Sequence, residues 1–159
     1  MTLKIKIRNL IAKYKEKIFI IFCKKEILLH CNLISKINLS LIFQNKDYNK
    51  EYLAEKPRFN LLKIPDFSGG INTGDQKAIF FIIKEFKPIK VLEIGTHIGA
   101  STVNIAMAMN DCNINKKELT TVDILDVNNR KKKPWKKFNS TNSPKKNVEK
   151  LNIKFPVYF

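Results

Sequence analysis

Apolar and polar positions along this chain change period several times, and each change marks an element. From Leu3 to Phe43, apolar residues such as Ile7, Leu10, Ile11, Tyr14 and Ile18 recur at helical spacing between lysines. One or two amphipathic helices are expected there. From Gln44 to Gly70 the pattern turns polar and acquires Pro57, Pro65 and the Gly69-Gly70 pair, which predicts a linker. Thr73-Gly74-Asp75-Gln76 has the form of a capping box with Thr73 at the N-cap. The helix it opens would bury Ala78, Ile79, Ile82, Ile83 and Phe86 before Pro88 stops it.

Lys90 to Ile94 is a short, mostly apolar run bounded by glycine, as in a central strand buried on both faces. Ser101 to Met109 returns to helical spacing, Leu119 to Ile124 reads as a second strand, and Ser143-Pro144 opens a helix with proline at its first position. Val148 and Leu151 would be its inward residues, and Pro156 to Phe159 begins a third strand. Alternating strands and helices build a parallel sheet with right-handed crossovers. The expected organisation is a helical region and linker over 1–69, then an α/β domain over 70–159 whose sheet is incomplete after its third strand.

Composition narrows the picture. At 159 residues and 44% hydrophobic, the chain can bury one core. The formal charge of +16 alone would point to nucleic acid or an anionic membrane. Its lysines are scattered, however, and only Arg8, Arg58 and Arg130 supply the guanidinium best suited to phosphate and base contacts. Lysine, isoleucine and asparagine share A/T-rich codons, so a biased genome accounts for the excess, and nucleic acid and membrane surface are set aside as principal partners. The apolar run Ile18 to Cys23 is closed on both sides by lysines, too short to span a bilayer and lacking a cleavage pattern. A cytoplasmic protein is expected. Cys23, Cys31 and Cys112 form no CxxC pair, which suits free thiols. His30 beside Cys31 is too small a set for a metal site.

The stretch Glu93-Ile94-Gly95-Thr96-His97-Ile98-Gly99-Ala100-Ser101-Thr102 carries the chemistry. Gly95 would let the chain turn off the strand, Gly99 would let backbone approach a ligand, and the next helix would present its N-terminal amides there. A nucleotide site is implied. The GxxxG spacing departs from the dinucleotide fingerprint, and no Walker lysine follows, which argues against NAD and ATP. Glu93, ending the first strand, is placed to accept from the ammonium of an amino-acid moiety. Asp123, ending the second, is placed to take both hydroxyls of a ribose. His97 reads as part of the loop wall, and Asp126 to Asn142, with Arg130, a lysine run and Trp135, as a solvated loop with one anchoring aromatic or a lid.

Val91 to Ala106, followed by Thr120 to Ile124, resembles motif I and the following acidic motif of class I S-adenosylmethionine-dependent methyltransferases, in the form found in small-molecule O-methyltransferases. The resemblance covers Gly70 to Phe159. It implies a Rossmann-like sheet with flanking helices and S-adenosyl-L-methionine as cofactor. Glu93, Gly95, Thr96, Gly99, Ser101, Thr102 and Asp123 would bind that donor, with Gly95 and Gly99 at its carboxypropyl end and Ser101 or Thr102 capping the helix near its carboxylate. The complete fold has seven strands; its adenine-contacting acid follows the third, and its metal ligands or catalytic base follow the fourth. Those positions have no counterpart here, so no catalytic residue and no metal ligand is assigned.

The expectation is therefore a truncated or split methyltransferase, inactive alone, whose small-molecule acceptor is unspecified and whose sheet is completed by a partner chain or another copy. The competing expectation is a non-enzymatic protein whose basic N-terminal helices bind membrane or nucleic acid.

Overall fold

The computed structural model describes residues 38–65 and 71–159. Ser40 to Phe159 belong to one compact unit. The N-terminal positions Ile7 to Ile18, together with Cys23, His30, Cys31 and the Gly69-Gly70 pair, lie outside the described residues.

A short helix α1 (Leu39–Phe43) is followed by α2 (Lys46–Leu61). The expected linker is therefore largely helix, and the reason lies in its ends. The Asn45 side chain accepts from the Asp47 and Tyr48 amides, 2.9 and 3.0 Å away, covering two donors that have no intrahelical partner. Pro57 sits inside α2; the carbonyl its missing N–H would have served belongs to Leu53, on an exposed part of the helix. Tyr52 and Phe59 are the side chains α2 buries, and Tyr52 meets Phe80 edge to face at 5.6 Å.

Helix α3 (Thr73–Phe86) starts one residue earlier than its sequence signature indicated. Asn72 is the N-cap, accepting from the Asp75 amide, while the Asp75 carboxylate accepts from the Asn72 amide. It ends on Lys87, held left-handed at φ 45°, whose N–H bonds the Ile83 carbonyl. The buried face also differs: Phe80, Phe81 and Ile83 point inward while Ile82 and Phe86 are exposed. The inward arc is rotated because α3 packs against both α2 and α4, so the Phe80-Phe81 pair, rather than Ile82 and Phe86, fills the space between them.

Strand β1 (Lys90–Ile94) pairs in parallel with β2 (Glu118–Val122), and β2 with β3 (Val157–Tyr158), giving the order β1-β2-β3. Between β1 and β2 runs α4 (Ala100–Asn110), with every residue from Thr102 to Met109 buried, as expected of a helix surrounded by protein. Between β2 and β3 lie a 3₁₀ helix (Pro134–Phe138) and α5 (Pro144–Lys150), capped by Ser143 with proline at its start. Val148 and Leu151 are buried as expected, and both join a cluster that includes Val103, Met107 and Trp135.

The sheet is open and parallel, flanked by helices, consistent with part of a Rossmann-like fold. Its two faces are unlike. Glu93, Leu119 and Thr121 are buried on the helix-covered face, whereas Leu92, Ile94, Val122 and Tyr158 are exposed. The expectation that β1 is buried on both faces is thus corrected: side chains two apart share a face, and one of its faces carries no helix among the described residues. No described helix is long and apolar enough to cross a membrane.

Candidate functional site

Parallel pairing of Ile94 with Val122 brings the C-terminal ends of β1 and β2 to one rim. There the chain leaves β1 through a turn that only particular residues accommodate. Gly95 has φ 95°, and its N–H extends the ladder to the Val122 carbonyl at 2.8 Å. His97 is left-handed at φ 47°, and Gly99, at φ 81°, is the N-cap of α4. The Gly99 N–H returns to the Thr96 carbonyl at 2.8 Å, closing the turn.

Beneath the turn lies a buried polar network centred on Glu93. Its Oε1 accepts from the Ser101 hydroxyl, and its Oε2 from Thr102 at 2.5 Å and Thr121 at 2.6 Å. Thr121 also shares a hydrogen bond of 2.6 Å with Thr96. A carboxylate has about four acceptor positions, so three hydroxyls leave Glu93 roughly one. Its place beside the first turn of α4 also sets negative charge where the helix dipole favours it. The carboxylate expected to face a ligand instead ties strand, turn and helix together. Ser101 and Thr102 are drawn down to it, so they do not cap α4, which has no side-chain cap.

Above the turn stands Asp123, just past β2. Its Oδ2 accepts from the His97 amide at 2.8 Å and its Oδ1 from the Leu125 amide at 2.9 Å. These two amide bonds, Leu125's first and His97's second, hold its carboxyl below the ordinary aspartate range, against a smaller opposing effect of burial. Asp123 lines two adjoining clefts. One, of about 340 Å³, includes Thr96, Thr121, Asp126, Asn128, Lys145 and Phe159. The other, a shallow hollow of about 610 Å³, is walled by Ile94, Gly95, His97, Val122 and Ile124.

The structure thus separates the seven expected residues into three groups. Gly95, Thr96 and Asp123 face the clefts; Glu93, Ser101 and Thr102 form the support under them; Gly99 is pressed against protein. A Cβ built on Gly99 would lie 2.9 Å from the Cβ of Pro144, so the close approach this glycine permits is to α5, in place of the expected ligand. His97 does belong to the wall, with its ring edge-on to Phe138 at 4.2 Å. Asn128 and Lys145 went unnoticed in the sequence because Asn128 sits in a polar stretch without periodicity and Lys145 is an exposed position of a helix whose pattern marks only its inward residues. What joins them is a single contact, the Lys145 amide donating to Asn128 Oδ1 at 2.9 Å. Among the described residues no cluster of three or more metal-ligating side chains occurs.

No family model, curated protein or solved structure matches this chain.

Proposed function

We propose that this chain is the S-adenosylmethionine-binding half of a class I methyltransferase. The observation that carries the reading is the rim itself: parallel strands, a left-handed glycine turn entering a helix, and the Asp123 carboxyl held beside the turn by the His97 and Leu125 amides. Open α/β sheets bind ligands in the crevice at the carboxyl ends of their strands. Asp123 spends one lone pair of each oxygen on a backbone amide and keeps others for two ribose hydroxyls. Gly95 and Thr96 would lie along the amino-acid end of the donor, with Glu93, Ser101 and Thr102 holding the turn in shape.

The reaction served by such a site is in-line transfer of the sulfonium methyl to an acceptor oxygen or nitrogen, in which positioning contributes much of the acceleration. The acceptor side, and the strands that would pair along the open edge of β1, come from residues other than those of this sheet. The described half alone is expected to bind donor without turnover. Isothermal titration of the folded chain with S-adenosylmethionine checks this. Weak, saturable binding that Asp123→Ala removes while the fold persists is expected. No heat of binding at millimolar donor would sink the assignment.

A further inference from the structure

Beside the Asp123 clefts is a third, of about 650 Å³, and its lining is strongly basic. Arg130, Lys133, Lys136, Lys145 and Lys146 surround it, with Glu149 as the one carboxylate. All five cations are exposed, and none of them forms an ion pair with a described residue. Genome-wide lysine enrichment spreads charge evenly, whereas residues 126–150 hold nine basic and two acidic side chains. They also include one of only three arginines, the residue that an A/T-rich code disfavours.

The backbone that carries these cations is fixed. Asn129 Oδ1 accepts from the Lys131 and Lys132 amides at 3.1 and 2.9 Å. Lys133 is held left-handed at φ 48°, and Trp135 is buried in the core cluster. Ser140 donates through its hydroxyl to the Asn142 carbonyl and through its amide to that of Trp135. Like charges held together in a concave wall raise the local positive potential, which a bound anion relieves.

We propose that this cleft binds a small molecule carrying several phosphate charges. Its volume falls within the range of roughly 300–1,000 Å³ usual for small-ligand sites. Single-stranded nucleic acid fits less well, since such binding relies on aromatic faces open to stacking, and the lining's only aromatic, Trp135, is buried. The assignment stands apart from the donor reading, because, of its five cations, only Lys145 also lines an Asp123 cleft, and Arg130, Lys133, Lys136 and Lys146 do not.

Tripolyphosphate is the probe, titrated into the full chain by calorimetry while the emission of Trp135, the sole tryptophan, is followed. Saturable binding is expected, weakened at least about tenfold by Arg130→Gln with Lys133→Gln, the loss anticipated for charge-assisted contacts. The paired control Lys131→Gln with Lys132→Gln removes the same charge from the same loop outside the lining and should leave affinity near that of the parent. Circular dichroism verifies that both variants fold. Three results would overturn the proposal: no saturable binding at millimolar probe, equal weakening by both pairs, or tight oligonucleotide binding that tripolyphosphate does not displace.

Discussion

At the scale of single residues, the turn between β1 and α4 depends on its two glycines for different reasons. Gly95 needs only its dihedral, since a Cβ there would meet nothing within 4 Å; Gly99 needs dihedral and space, with Pro144 at 2.9 Å. Gly95→Ala should therefore cost about 1 kcal/mol of backbone strain, and Gly99→Ala about 2–4 kcal/mol once the clash is added. Urea denaturation of the two variants checks that order, and equal losses would mean that Pro144 yields freely. Thr121→Val keeps shape but removes the hydroxyl between Thr96 and Glu93. It should cost about 1–3 kcal/mol, as expected for buried polar groups left short of a partner. Asp123 sets a pH dependence. Its carboxyl is depressed in the folded state, so its contribution is present above the ordinary aspartate pKa and is lost as pH falls through the lower folded value. Acid titration of the parent and of Asp123→Asn should give stability curves that converge at low pH and separate as pH rises through the carboxylate range.

At the scale of elements, the start of α3 distinguishes what the sequence shows from what it hides. Asn72→Ala should lower stability by about 1 kcal/mol, while Thr73→Ala should leave it nearly unchanged, because the Asn72 side chain makes the cap. Equal effects in thermal melts would restore Thr73 to that role. The offset arises because Asn72-x-x-Asp75 and Thr73-x-x-Gln76 are overlapping signatures, and only the tertiary position of the entering chain chooses between them. Both main strands, α4 and α5 were legible, since each couples a clear period to a terminal signal, such as Ser143-Pro144 for α5. Helix α2 was hidden because just two of its side chains, Tyr52 and Phe59, are buried, so it has almost no apolar stripe to detect. In the candidate site, Gly95 and Asp123 were legible as groups that line the clefts at the strand ends, whereas Thr96 is almost wholly buried against Thr121. The inward turn of Glu93 was not, because a carboxylate at that position serves a ligand or three hydroxyls equally well, and the choice depends on where α4 packs.

At the scale of the whole molecule, the sheet face that carries no helix among the described residues bears on association in solution. Leu92 and Ile94 share that face with Val122 and Tyr158 through the pairings Ile94 with Val122, Leu92 with Thr120 and Thr120 with Tyr158. Leu92 is 63% and Ile94 82% exposed, unusual for apolar residues in a parallel sheet, which is ordinarily covered on both sides. Contiguous exposed apolar surface beside an open strand edge favours association. In the donor-binding reading, this is the surface and edge that the acceptor-binding half would cover. Leu92→Lys with Ile94→Thr should therefore reduce self-association in sedimentation velocity runs while changing unfolding free energy by less than about 1 kcal/mol, since neither side chain enters the core. Cys112 provides the contrasting control: burial pushes its thiol pKa upward and its sulfur bonds the Ala108 carbonyl, so it should resist alkylation in the folded chain until denaturant is added. Mass mapping that finds Cys112 slow to react while the polar variant loses its self-association would place the association on the bare sheet face. Rapid labelling of Cys112 before denaturation would instead locate it in a chain that opens between α3 and α4.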